Sequence, residues 1–266
     1  MQADRELAQL RGLYYGVLTR LFTQEPTPQN LEPLLNGAED RAHAAGKLNA
    51  AMGEGWLKMK EAVDAEGIEN VIDEFTKLFL GPTRPKVTPY ESQYLAGSLF
   101  QGPLVGVRQF MSIIGLERAE SDYTEPEDVI GFELEIMNWM ISRQLASEEE
   151  AQASEWILRQ AQFLKGHLLI WGLDFAQDLE GVEETPFYNG VGSLLRGFLT
   201  WEKGLFDRIG PEKIESLEDA RKRYGKIGVF KGPVFDPFSE NDHQSGQDKL
   251  NAGGDKGNDG GNGEKS

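Results

Sequence analysis

The chain of 266 residues contains no cysteine and three histidines. Without cysteine there is no disulfide framework, no thiol nucleophile, no thiolate metal site and no cysteine-ligated iron–sulfur cluster. The histidines, His43, His167 and His243, lie far apart; H-E-x-x-H does not occur, and the one Glu-x-x-His, Glu240 to His243, falls in the glycine-rich stretch near the end rather than in a helical pattern. No metal is therefore expected. The phosphate loop G-x-x-x-x-G-K-[ST] and the nucleophile elbow G-x-S-x-G are also missing, which removes the commonest signatures of nucleotide hydrolysis and acyl transfer. Long apolar runs are absent: Leu168-Leu169-Ile170-Trp171 is far too short to span a bilayer. The first ten residues carry Asp4, Arg5 and Glu6 where a leader would place an apolar stretch. A cytoplasmic protein without stable membrane insertion is expected. Basic residues are scarce, 27 against 44 acids for a net charge of −17. That balance argues against nucleic-acid binding and favours a basic partner, or simply solubility.

Glycine is plentiful, but unevenly placed. Residues 239–266 hold seven glycines, six acids and three lysines, with Leu250 their only large aliphatic side chain. Such a segment buries too little apolar surface to offset its ordering entropy and is expected to be disordered. Removing its −3 leaves −14 on residues 1–238. That body reads as one helical domain. Leu7, Leu10, Leu13, Tyr14, Val17, Leu18 and Leu21 form one apolar stripe from about Asp4 to Phe22. Thr27-Pro28 caps a short helix to about Leu35. A weaker helix, interrupted by Gly46, Gly53 and Gly55, is expected from Ala38 to Ala65, and another carries Ile68 to Phe79 and stops at Gly81-Pro82. Helices resume over Glu91–Leu99, Pro103–Ile114 and from Pro126 through Ile141. Ser147 and Glu150 suggest a capping box opening a run toward Leu179. Thr185-Pro186 opens a helix over Phe187–Phe206, and a short one follows over Ser216–Tyr224. No two-residue alternation is sustained, so the class is all-α.

Three stretches carry chemistry worth weighing. In the first, Asp73-Glu74-Phe75-x-x-Leu78-Phe79-x-Gly81-Pro82 feeds a proline-bearing loop that ends in Pro89-Tyr90-Glu91-Ser92. It is either a chain reversal with Ser92 or Glu91 as cap, or a functional loop on a rigid scaffold. In the second, Glu125-Pro126-Glu127-Asp128 precedes Glu133, and acids in a first helical turn are ordinary capping. Glu133, however, falls beside the stripe of Ile130, Leu134 and Met137, where a carboxylate needs a cationic or hydrogen-bonding partner. In the third, His167 and Trp171 are neighbours on one helix face. A histidine hydrogen-bonded within the core is the plainer reading there, since nothing nearby resembles a ligand set.

Taken in order, these stretches resemble the TorD/DmsD/NarJ family of molybdoenzyme-maturation chaperones. Members show an acidic-aromatic-x-x-Leu-Phe-x-Gly-Pro segment, then Pro-Tyr-Glu-Ser, then Glu-Pro-x-Asp-His before a Glu-Leu-Glu helix, and a His-Leu-x-x-Trp segment. Here the matching residues are Glu74–Pro82, Pro89–Ser92, Glu125–Asp128 with Glu133–Glu135, and His167–Trp171. One position departs: Val129 stands where relatives often have histidine, and valine offers no side-chain hydrogen bond. The resemblance implies a TorD-like helical bundle with no catalytic residues and no cofactor of its own. It implies as partner the apo catalytic subunit of a molybdopterin oxidoreductase, bound in part through a twin-arginine leader. It assigns client binding to Phe79, Gly81, Pro82, Pro89, Tyr90, Glu91, Ser92, Glu125, Asp128, Glu133, His167 and Trp171. A groove built from Phe79, Tyr90 and Trp171 would take the leader's apolar segment as a helix.

Two other classes compete with the chaperone: a helical adaptor for another basic partner, and an enzyme, such as a nucleotide hydrolase, on a helical fold. Monomer and homodimer are both open, with Gln101-Gly102-Pro103 and the Gly115–Thr124 connection as candidate hinges for exchange. The composition of residues 239–266 yields a direct prediction. Truncation after Phe238 leaves the thermal midpoint nearly unchanged in a melting experiment; a fall of many degrees would mean the segment docks on the body.

Overall fold

Tyr14, Tyr15, Val17, Leu18 and Leu21 all turn inward from α1 (Gln2–Thr23), and the helices that cover them make the centre of the structure. The computed structural model describes residues 2–80, 86–119, 124–211 and 213–226. Among these there is no strand, and the all-α expectation holds. The helices are α1, α2 (Pro28–Leu35), α3 (Ala38–Gly46), α4 (Ala50–Phe75), α5 (Glu91–Ala96), α6 (Gly102–Ile114), α7 (Ile130–Ala146), α8 (Glu150–Phe163), α9 (Leu169–Glu180), α10 (Pro186–Leu205) and α11 (Leu217–Lys226). The described residues all fall within one unit, residues 1–229. Residues 239–266, expected to be disordered, lie outside the description.

Helix α1 packs on α7, while α10 packs on α4 and α9. The α4–α10 pair approaches backbone to backbone. A Cβ on Gly55 would stand 2.6 Å from Leu194 N and 2.7 Å from Gly190 O, and one on Gly190 would stand 2.8 Å from Met59 N. The glycines that weaken helix propensity in this region therefore set its packing distance.

Three boundaries differ from the sequence reading. The stretch expected to run from Ala38 to Ala65 is two helices, because the Asn49 side chain accepts from Ala51 N–H at 3.0 Å and starts α4 afresh. The break expected between Ala65 and Ile68 is present: Gly67, at φ +80° and ψ 169°, is non-helical and kinks α4 there. Pro126 is not the first helical residue: Pro126–Asp128 form a turn, and α7 starts at Ile130. The Ser147–Glu150 capping box does not form. Ser147 Oγ instead donates to Arg143 O at 2.8 Å, closing the end of α7, and Glu149 precedes α8 with no side-chain cap.

Buried polar groups join the layers. Arg11 donates from Nε to Glu202 Oε1 at 2.6 Å, from a terminal nitrogen to Glu202 Oε2 at 2.8 Å, and from the other to Gln160 Oε1 at 2.7 Å. Tyr15 Oη adds a bond to Glu202 at 2.8 Å, so α1, α8 and α10 share one satisfied network. Glu74 accepts the N–H groups of Phe187 and Tyr188 at 3.3 and 3.0 Å and caps α10, whose own Thr185 side chain does not. Burial pushes the Glu74 carboxyl up, against those two N–H bonds.

A glycine pair tests the packing account. Gly55→Ala is expected to cost about 1–3 kcal/mol in denaturant unfolding, because the methyl meets backbone that cannot swing away. Gly204→Ala, with nothing within 4 Å of the added atom, is expected to stabilise by up to about 1 kcal/mol through helix propensity.

Candidate functional site

Helix α4 ends in a single π turn, Thr76–Leu80. Such turns shift side-chain phase by one residue and are frequent at functional sites. Leu78 goes into the core, Phe79 packs on Phe22, Phe75 and Tyr188 with ring centres 5.3–6.1 Å away, and Leu80 is left exposed. When the described chain resumes, Pro89–Ser92 runs beside Asp128–Ile130. Tyr90 and Val129 form an antiparallel bridge, with Glu91 N–H donating to Asp128 O at 2.9 Å and Ile130 N–H to Pro89 O at 2.8 Å. The Asp128 carboxylate accepts the Ser92 N–H at 3.0 Å and also the Ser92 hydroxyl. It thereby caps α5 from outside, since Tyr90 supplies no cap. The Tyr90 hydroxyl donates to Glu125. Two motifs separated in sequence are thus one structural unit.

Arginines fasten the second motif. Arg108 donates to Glu127 at 2.8 Å, and Arg118 donates to Glu125 O at 2.7 Å and lies 3.5 Å from Glu127. Burial opposes the Glu127 charge, but Arg108 and Arg118 hold its carboxyl below the ordinary range. The sequence reading treated Glu127 only as a helix-start acid. Its anchoring role depends on Arg108 in α6, a pairing that no local pattern signals.

Behind the bridge lies a buried acid cluster. Glu91 sits 3.0 and 3.3 Å from His167 Nδ1, and Glu133 accepts the Trp171 indole N–H at 3.2 Å. His167 is set by a second π turn, Leu164–Leu168, and stacks on Phe163 at 5.0 Å between ring centres. The partner expected for Glu133 is therefore internal, and His167 is a hydrogen-bonded histidine as the plainer reading had it. Burial foremost, then the neighbouring charges of Glu91 and Asp128, pushes the Glu133 carboxyl well up, with Trp171 opposing. Burial also raises Asp128, against the bonds from Ser92. Glu133 Oε1 and Asp128 Oδ1 meet no donor in the structure. A proton on Glu133 lets that carboxyl donate to Glu91, which relieves the crowding of like charges. Among the described residues, no group of three or more histidines and acids is arranged to hold a metal ion.

The sequence-predicted residues therefore divide by depth. Phe79, Tyr90, Glu125 and His167 are half-buried, whereas Pro89, Glu91, Ser92, Asp128, Glu133 and Trp171 are buried. Gly81 and Pro82 lie outside the described residues. The expected groove of Phe79, Tyr90 and Trp171 is corrected on one wall. Trp171 has no exposed surface and packs on Tyr94 and Phe175 at 5.3 and 5.5 Å. Val129, the departure from the family pattern, is itself buried and serves the bridge through its backbone.

Residues 45–177 match the family described as nitrate reductase delta subunit. This chain belongs to that family, the NarJ/TorD family. Among curated relatives, the chaperone protein TorD of Vibrio parahaemolyticus is 27% identical over 212 residues, covering 74% of this chain and 95% of its own length. A Vibrio cholerae TorD is 27% identical over 221 residues, covering 80% and 99%. The probable Tat proofreading chaperone DmsD of Haemophilus influenzae is 26% identical over 140 residues, covering 52% and 63%. The family match extends over the bridge, the acid cluster and both π turns.

The acid cluster sets a pH dependence of stability. The Glu133 pKa is higher folded than unfolded, so between the two values the folded state holds more protons, and stability falls as pH rises through that window. Glu133→Gln keeps the contacts to Trp171 and Glu91 without the titration. Thermal melts across pH should show a flatter profile for the variant and a midpoint at or above wild type at the upper end. Asp128 is shifted in the same direction and leaves a residual slope. Parallel profiles would place the titration elsewhere.

Proposed function

We propose that the protein is a maturation chaperone for a molybdopterin-dependent oxidoreductase. It binds the apo catalytic subunit, in part through a twin-arginine leader, and holds it for cofactor insertion. The observation that carries this reading is the antiparallel bridge between Tyr90 and Val129, which unites the family motifs and presents Tyr90 and Glu125 at its outer edge. In this reading Phe79, Tyr90, Glu125 and His167 make the contact surface. Glu91, Ser92, Asp128, Glu133 and Trp171 act from beneath by holding that surface in place. A net charge of −17 draws a basic leader in by long-range attraction, which mainly raises the encounter rate. The chain performs no catalytic turnover, and it works before export. No helix among the described residues is long and apolar enough to cross a membrane.

The test measures affinity and stability on one set of variants, titrated with the client's leader peptide and with the full apo subunit. Glu125→Gln is expected to weaken leader binding about two- to fivefold at low ionic strength, an effect that shrinks as salt rises. Its thermal midpoint stays near wild type. Asp128→Asn lowers the midpoint first and affinity only as a consequence. Affinity indifferent both to salt and to Glu125→Gln would exclude the leader from this edge.

A further inference from the structure

On another face, α1, α2 and the start of α4 enclose a groove of about 530 Å³ to which the chaperone motifs contribute nothing. Its lining is largely apolar, with Leu31, Tyr14 and Trp56 buried beneath it and Leu13 exposed on its rim. In a chain carrying −17, the charged side chains that line it among the described residues are Arg20 and Arg41. The Arg41 guanidinium lies over the Trp56 ring, 5.6 Å from its centre, tethered to the carbonyls of Leu34 and Asn36. The Trp56 Nε1–H is buried beside the Tyr14 hydroxyl.

We propose that this groove is a second docking site, for an apolar segment of a partner polypeptide that carries an acidic side chain. Apolar side chains of the segment fill the channel between α1 and α2. Its carboxylate meets Arg20 and Arg41. Charge complementarity selects this occupant: a leader rich in arginine is repelled by the same rim that attracts an acid. The open rim at Leu13 extends the apolar surface along the helix, which suits a chain segment more than a compact ligand. The proposal stands on the groove alone and holds whichever partner the protein serves.

The test uses the full chain and two short amphipathic peptides with the same leucine face, one flanked by glutamates and the other by glutamines, compared by calorimetric titration. The glutamate peptide is expected to bind about tenfold more tightly at low salt. Arg20→Gln should shrink that preference, and it disturbs only a bond within its own helix. Arg41→Gln should shrink it too, though it also loosens the α2–α3 turn. Leu13→Asp should weaken both peptides, and Trp56→Phe should weaken both while keeping their ratio. Equal affinity for the two peptides, or a preference untouched by Arg20→Gln, would overturn the proposal. So would sedimentation showing that the face closes on a second copy, dissolved by Leu13→Asp. Competition by a twin-arginine peptide would merge this groove with the leader site and refute a separate one; the chaperone reading would survive that result.

Discussion

A carboxylate inside an apolar helical bundle must find a donor or a proton, and in this protein that requirement decides which distant segments meet. Glu202 calls Arg11 and Tyr15 across from α1. Glu74 fixes the start of α10 by accepting two of its orphan N–H groups. Asp128 starts α5 by the same means, and Glu133 finds the Trp171 indole. None of these acids has another way to be buried, because an uncompensated charge in such a core costs more than a typical domain's margin of stability. The apolar stripes say that helices pack, whereas the acids say which helix and in what register.

That division explains what was legible in the sequence. Periodicity gave most helices nearly to their ends, because burial of one stripe is a local property of spacing. The family motifs fell in the correct order because their residues are contiguous. What escaped were consequences of contacts between segments. Pro126 looks like a first helical residue, but the bridge to Pro89 and Glu91 keeps Val129 extended and delays α7 to Ile130. Gly53 and Gly55 look like interruptions, and become the points where α3 and α10 respectively come close. The two π turns are invisible to a 3.6-residue pattern, yet one places Phe79 and the other His167. Glu133 was legible as a carboxylate needing a partner. That the partner would be Trp171 was not, since the indole of a neighbouring motif looked like a wall of the groove.

Depth also changes what the motifs mean. A set of acids and aromatics that recurs in order invites the view that each residue touches a ligand. In this structure the inner members, Glu91, Asp128, Glu133 and Trp171, are sealed from solvent. Among the described motif residues, the rim formed by Phe79, Tyr90, Glu125 and His167 has surface to offer. The inner acids hold the bridge and the caps that fix the rim, so their substitution reaches a client indirectly, through the position of Tyr90 and Glu125. The Val129 position fits this view. A side chain buried at the bridge has no hydrogen bond to lose, and the backbone pairing that aligns Tyr90 is available to any residue there.

The charge distribution acts on two scales that need not favour the same chemistry. Net charge governs approach: the field of a strongly acidic body reaches beyond a Debye length of about 8 Å only weakly at physiological salt, so it raises encounter rates more than it selects contacts. Contacts are selected at hydrogen-bond distance, where local side chains outweigh the total. The groove at Trp56 has a local sign opposite to the body that carries it, because among the described residues Arg20 and Arg41 face it and no acid does. A polypeptide with a basic leader and an acidic-apolar segment further along would then be attracted as a whole and sorted by parts. The basic end would be drawn to the acidic surface and the acidic segment to the arginine rim. Two weak contacts on one flexible chain reinforce each other through effective concentration. A partner held in this way can be gripped firmly as a whole while each contact opens and closes quickly.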